Sequence, residues 1–227
     1  MKSDLHSINS DGDLSLLIKS YDNFNNSKLS LHLIILVHGF QGNSHDLRLI
    51  KNTISLISPG SILLPSCSNQ DDTECDLIEM GKKLANEVKN FLKDWNEGSV
   101  FNRISFIGHS IGGLIIRASL PFLAEYSNKM WMYMSLSSPH LGYIYSNSKL
   151  VDAGIWLLKT WKKSKSLQQL SLTDSKDLKE CCVFKLSTME GLNWFHHVFL
   201  LSSHQDMYAP YESTRIQLCD QAFTDNQ

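Results

Sequence analysis

No apolar run in the 227 residues comes near the ~18 that a membrane span requires. The longest are LIILV at 33–37 and the patch MWMYMSL at 130–136. The first twenty residues, MKSDLHSINSDGDLSLLIKS, carry charged and polar side chains where a secretory leader would hold an uninterrupted apolar stretch, so export is not expected. An excess of charge of one sign is also missing. Lys and Arg total 21 against 23 Asp and Glu, a formal net charge of -2, and the densest basic run is KTWKKSK at 159–165. Such a balance provides no field to recruit nucleic acid. Cysteine is scarce: Cys67, Cys75, Cys181, Cys182 and Cys219 form no C-x-x-C pair and have no histidines at zinc spacing. That excludes a disulfide framework and a recognisable metal site, so neither metal nor cofactor is expected, and reduced thiols fit a cytoplasmic chain.

What is present is an alternation of strand and helix. Residues 33–37 and 103–107 are short apolar, β-branched runs of the kind buried on both faces of a parallel sheet, and SILLP (61–65), MYMSLS (132–137) and HVFLLSS (197–203) read the same way. LSLLIKSY at 14–21 could add an early strand. Residues 76–95 repeat apolar side chains at 77, 80, 84, 88, 91 and 92, which is helical spacing. A second helix opens at Ser110 or Ile111, with Pro121 set to bend or end it. The alternation implies one α/β domain over residues 1–227 with a mostly parallel sheet. Residues 143–195 interrupt it with a long segment, amphipathic at LVDAGIWLLKTW, read as a helical cap or lid or, alternatively, a decorated crossover. Its Met and Trp content suggests an apolar acyl group.

Gly108-His109-Ser110-Ile111-Gly112 fits G-x-S-x-G between a buried strand and a helix, the context in which that pattern carries a nucleophile. The glycines leave room for a sharp strand-to-helix turn, and the Ile111 N–H at the helix start can donate to an oxyanion. The alternative is a turn whose serine only caps the helix. A second oxyanion donor is expected from ILVHGFQGN at 35–43, where Gly39 turns the chain and Phe40 presents its N–H. His38 reads as a brace for that loop. Nucleophile, acid and histidine follow in that order along such chains. Asp206 lies just past the strand 197–203, at the same sheet edge as Ser110. Its alternative role is a loop carboxylate capping a helix near Tyr211.

These stretches resemble the lipase-like serine esterases of the α/β-hydrolase superfamily. LVHGFQGN, FIGHSIGGLIIRASL, SLSSPHLG, SLQQLSLTD and LLSSHQDMYAPYESTRI carry the likeness across most of residues 30–218, with SPHLG and D-x-Y-x-P-Y-x-S-x-R-I as the specific parts. The resemblance implies an α/β-hydrolase fold with Ser110 as nucleophile, Asp206 as acid, and the Phe40 and Ile111 N–H groups as the oxyanion hole. His140, in SPHLG, is implied to be structural. The substrate would be a small-molecule or lipid ester.

One component is lacking. Serine needs a base to take its proton, and the last histidine is His204, two residues before Asp206. His6, His32 and His45 lie in the N-terminal part, His196 and His197 at the amino end of a strand, and His109 is expected to be buried in the elbow. The family's histidine lies on a loop after a further strand, so the expectation is a C-terminally incomplete domain that lacks the last strand and helix and is inactive as it stands, or else a hydrolase-fold interaction module.

Overall fold

The computed structural model describes residues 30–95, 100–143 and 164–219. Its sheet has five strands: β1 (Ser30–Val37), β2 (Ser61–Pro65), β3 (Val100–His109), β4 (Met130–Leu136) and β5 (His197–Leu201). They stand in the order β2-β1-β3-β4-β5, every neighbouring pair parallel. The helices are α1 (Arg48–Ile57), α2 (Leu77–Asp94), α3 (Ile111–Ser119), α4 (Lys165–Leu170), α5 (Cys182–Thr188) and α6 (Tyr211–Arg215), with short 3₁₀ segments between. The expected parallel sheet with flanking helices is thus present, whereas the possible strand at 14–21 lies outside the described residues.

β1 and β3 occupy the middle of the sheet, and their branched aliphatic side chains are enclosed: Leu33, Ile35 and Ile104 have no exposed surface. A parallel pair needs cover on both faces, which is why these strands are predominantly apolar, with the buried Ser105 of β3 bonded to His32 of β1 at 2.7 Å. β2 is half-buried along its whole length and β5 is mostly exposed, with Val198, Phe199 and Leu201 all near 45% accessible. This corrects the reading of 61–65 and 197–203 as strands buried on both faces. They are the outermost strands of the described sheet, and a strand's burial depends on neighbours that its own sequence does not encode.

α2 begins at Asp76, whose Oδ1 accepts from the N–H groups of Ile78 and Glu79 at 2.8 and 3.2 Å, a cap for two otherwise unbonded donors. The predicted apolar stripe is the buried one: Leu77, Met80, Leu84 and Val88 face the core. α3 stops at Ser119, and the chain continues through Pro121 as a 3₁₀ segment, Leu120–Lys129. Proline cannot supply the N–H that the α ladder requires. Of the expected cap, 144–163 lie outside the described residues. The part from 164 onward sends Leu167, Leu186 and Phe195 into the core.

Candidate active site

The parallel strands bring their carboxyl ends to one edge, and the site is built there. At the end of β3, Ser110 has φ 54° and ψ -127°, a strained left-handed turn, and its hydroxyl makes no capping bond to the helix it precedes. The plain capping role is therefore not what the turn serves. Gly108 and Gly112 are required by space. A Cβ on Gly112 would come within 2.5 Å of the Val37 carbonyl oxygen, and one on Gly108 within 2.6 Å of the Gly113 nitrogen. The Ser110 N–H donates to Leu136 O at 2.9 Å, tying the elbow to the end of β4.

The loop after β1 follows the same logic with one difference. The left-handed residue is Gln41 (φ 51°), and Gly39 serves by being small: a Cβ there would meet His109 Nδ1 at 3.0 Å and Ser110 Cβ at 3.2 Å. Gln41 is held by its N–H to Thr73 Oγ1 at 2.8 Å. His38 is buried, and its Nδ1–H donates to Gly39 O at 3.0 Å, the bracing role expected of it.

A cavity of about 610 Å³ opens at this edge, and Ser110, Asp206, Phe40 and Ile111 all line it. The structure thus brings together the four residues singled out from the sequence. Asp206 is half-buried, and its Oδ1 accepts from the N–H groups of Tyr208 and Ala209 at 2.8 and 3.0 Å. α6, which begins at Tyr211, has no side-chain cap, so Asp206 braces its own loop and does not cap that helix. Tyr143 lines the same cavity, and burial followed by the nearby Asp206 charge pushes its phenol pKa upward. It remains a neutral hydroxyl at any ordinary pH.

The histidines separate clearly. His109 is exposed and lines the cavity, which corrects the expectation that it is buried in the elbow. The backbone at the turn, not the preceding side chain, is what the elbow encloses. His204 stacks on the Tyr211 ring with centroids 3.5 Å apart. His140 is fully buried beneath the site, with Nε2–H donating to Ser135 Oγ at 2.9 Å and Nδ1 accepting from Arg117 at 3.4 Å. Burial, and secondarily the Arg117 charge, lowers its pKa to about 3, so it is a neutral structural imidazole. His196 and His197 flank Trp131 at the amino end of the sheet, away from the cavity.

Leu167 and Leu170 of α4 and Met207 and Tyr208 of the Asp206 loop complete the apolar wall. Sequence reasoning did not single these out. Met207 and Tyr208 sit beside Asp206, and Leu167 and Leu170 lie in SLQQLSLTD, one of the stretches that carry the family likeness; those were the available signals, while that α4 packs against this cavity is decided by long-range contacts. Among the described residues no group of three His, Cys, Asp or Glu side chains is placed to hold a metal, and no helix is long and apolar enough to cross a membrane.

Comparison with known proteins gives a family and several relatives. The family described as "Putative serine esterase (DUF676)" matches residues 27–221. A protein of Saccharomyces cerevisiae described as "Putative lipase YDL109C" is 33% identical over 137 residues, 55% of this chain and 20% of that protein. The chain therefore spans about a fifth of that relative's length. Among solved structures, the product of gene lin2722 from Listeria innocua is 11% identical, with TM-score 0.46, over 87% of this chain and 92% of that one. The hydrolase olei00960 from Oleispira antarctica is 14% identical, with TM-score 0.44, over 81% and 77%.

Proposed function

The chain belongs to this serine esterase family, DUF676, and has the α/β-hydrolase fold; from that premise we propose that it hydrolyses carboxylic esters through an acyl-enzyme on Ser110. The observation that carries the reading is the left-handed Ser110, uncommitted to capping, sharing one cavity with Asp206. In this reading an imidazole oriented by Asp206 takes the Ser110 proton as the hydroxyl attacks the ester carbonyl. The Phe40 and Ile111 N–H groups stabilise the tetrahedral oxyanion, the alcohol departs with the proton, and water releases the acid by the reverse sequence. The apolar wall formed by Ile111, Leu167, Leu170 and Met207 suits the acyl chain.

A second reading, a hydrolase-fold binding module, is favoured by one observation. Among the described residues Asp206 accepts its hydrogen bonds from backbone amides and from no imidazole. One experiment separates the two. The 227-residue chain is incubated with a short p-nitrophenyl ester and with a fluorophosphonate, each with and without millimolar imidazole. The esterase reading expects slow reaction at Ser110 that added imidazole accelerates, and none in Ser110→Ala. Failure of Ser110 to react under either condition transfers the assignment to the binding module.

A further inference from the structure

The direction of the Phe40 N–H is set by the peptide that carries it. In a trans peptide the N–H points opposite the carbonyl of the preceding residue, here Gly39. Gly39 O accepts from the Gly42 N–H at 3.1 Å and from His38 Nδ1–H at 3.0 Å, which pins that plane at one end of a four-residue turn. Towards the other end is Gln41, left-handed at φ 51°. A residue with a side chain is strained in that region and stays there only while its surroundings hold it. Two bonds do so: the Gln41 N–H donates to Thr73 Oγ1 at 2.8 Å, and its Nε2–H to Glu74 Oε1 at 3.1 Å. The second is at the surface, where water competes for both groups, so the first is the firm one. Without it the 40–41 peptide is free to turn over into the right-handed form of the same turn, which suits any residue, and Phe40 shifts with it.

Resting on the ester-hydrolase reading, in which the Phe40 N–H receives the oxyanion, we infer that Thr73 is a positioning residue for the reaction: its hydroxyl holds Gln41 left-handed and so keeps that N–H aimed at the developing charge. Thr73 suits the task because it is itself fixed. It is buried, 32 residues beyond Gln41 in the segment between β2 and α2, and its carbonyl oxygen accepts from Ser166 Oγ at 2.7 Å. Next to it, Glu74 O accepts from the Lys165 and Ser166 N–H groups at 2.9 and 3.3 Å. Thr73 is not among the described residues that line the cavity, so its loss acts on the chemical step and leaves substrate binding unchanged. Removing an oxyanion donor outright costs about 10²- to 10³-fold in rate. A donor that is present but no longer held in one setting costs less, about tenfold.

The test labels Ser110 of the 227-residue chain with a fluorophosphonate in millimolar imidazole and separates the maximal labelling rate from the half-saturating concentration. Thr73→Val, which puts a methyl where the hydroxyl was, should lower the maximal rate about tenfold and leave the half-saturating concentration unchanged. Thr73→Ser keeps the oxygen and should label within about twofold of wild type. A second measurement depends on no variant folding. The amide of Gln41, an exposed residue, should exchange with deuterium in the wild-type chain about tenfold or more slowly than a free amide, because its N–H is bonded to a buried hydroxyl. A Thr73→Val rate equal to wild type, a loss carried by the half-saturating concentration, a Thr73→Ser variant as slow as Thr73→Val, or a freely exchanging Gln41 amide overturns the positioning role and leaves the hydrolase reading standing. A wild-type chain whose Ser110 does not label overturns both.

Discussion

Gln169 holds Asp76 and the amide beside it at once: its Nε2–H donates to Asp76 Oδ2 at 2.7 Å while its Oε1 accepts from the Leu77 N–H at 2.9 Å. Residues 93 positions apart are joined in this way, and Lys165 adds an ion pair to the same carboxylate at 3.0 Å. The pairing docks α4, with Leu167 and Leu170, against the start of α2. Asp76→Ala should lower stability by about 1–2 kcal/mol through loss of the cap, and should loosen the Leu167–Leu170 wall. Urea midpoints report the first effect and ester affinity the second.

The same residue sets an acid dependence. Burial alone would raise the Asp76 carboxyl pKa, but the bonds from Lys165, Glu79 N–H, Gln169 and Ile78 N–H outweigh it and hold the pKa below its ordinary value. A carboxyl depressed in the folded state contributes stability that is complete above its unfolded pKa, about 3.9. That contribution is lost as pH falls through the lower folded value. The stability gap between wild type and Asp76→Asn should therefore be constant near neutrality and close below about pH 4.

His140 acts over a different range. Its folded pKa of about 3 lies below the unfolded value, so its neutral form favours folding fully above about pH 6.5. As pH falls below that, the unfolded chain takes up a proton that the folded chain refuses, and stability should decline by about 2 kcal/mol by pH 5. His140→Asn should flatten this part of the stability–pH curve even though it is less stable at pH 7. A curve of unchanged slope would mean that the buried imidazole is not the group responsible.

Asp206→Asn separates two duties of one side chain. The amide oxygen can still accept from the Tyr208 and Ala209 N–H groups, so the melting temperature should stay within about 1 °C of wild type, the shift a few tenths of a kcal/mol would give. Imidazole-supported hydrolysis should fall roughly 10²- to 10⁴-fold, because an amide does not stabilise the imidazolium that forms in the transition state. Asp206→Ala should instead cost about 1 kcal/mol of stability as well.

Gly112→Ala would drive a methyl into the Val37 and His38 carbonyl oxygens, 2.5 and 2.6 Å away, where only backbone could give way. Loss of about 3 kcal/mol and of Ser110 reactivity together is expected, read by thermal melting and fluorophosphonate labelling.

The elbow and the α2 helix were legible because their causes are local. Gly108 and Gly112 enclose Ser110 within five residues, and the Leu77–Met80–Leu84–Val88 stripe repeats at one period. Phe40 and Asp206 were legible for a related reason, since each follows a recognisable strand at its carboxyl end. The exposure of β5, the position of His109 and the wall formed by Leu167 and Leu170 were not. Each is decided by what lies across a gap in sequence: the neighbour a strand has or lacks, the Gly39 surface against which His109 rests, the grip of Gln169 on Asp76. His140 illustrates the same limit. SPHLG marked it as structural by resemblance, but that Arg117 would share its burial and hold Leu186 O at 2.8 Å could not be read from either segment.

Around Ser110 the fold is fastened on two sides. Val37 and His38 press on Gly112, and from β4 the buried Tyr133 hydroxyl donates to Gly113 O at 3.0 Å. The opposite wall of the cavity comes from short segments, 167–170 and 206–209, held by a few side-chain bonds. In the ester-hydrolase reading, the attacking group and the exposed part of the cavity wall therefore reside in separately mutable material. A lineage could exchange the exposed Met207 or Tyr208 and pass from one ester to another while the attacking oxygen kept its place, whereas Leu167 and Leu170 are also core side chains. A library directed at the two exposed positions would explore substrates without spending variants on broken elbows.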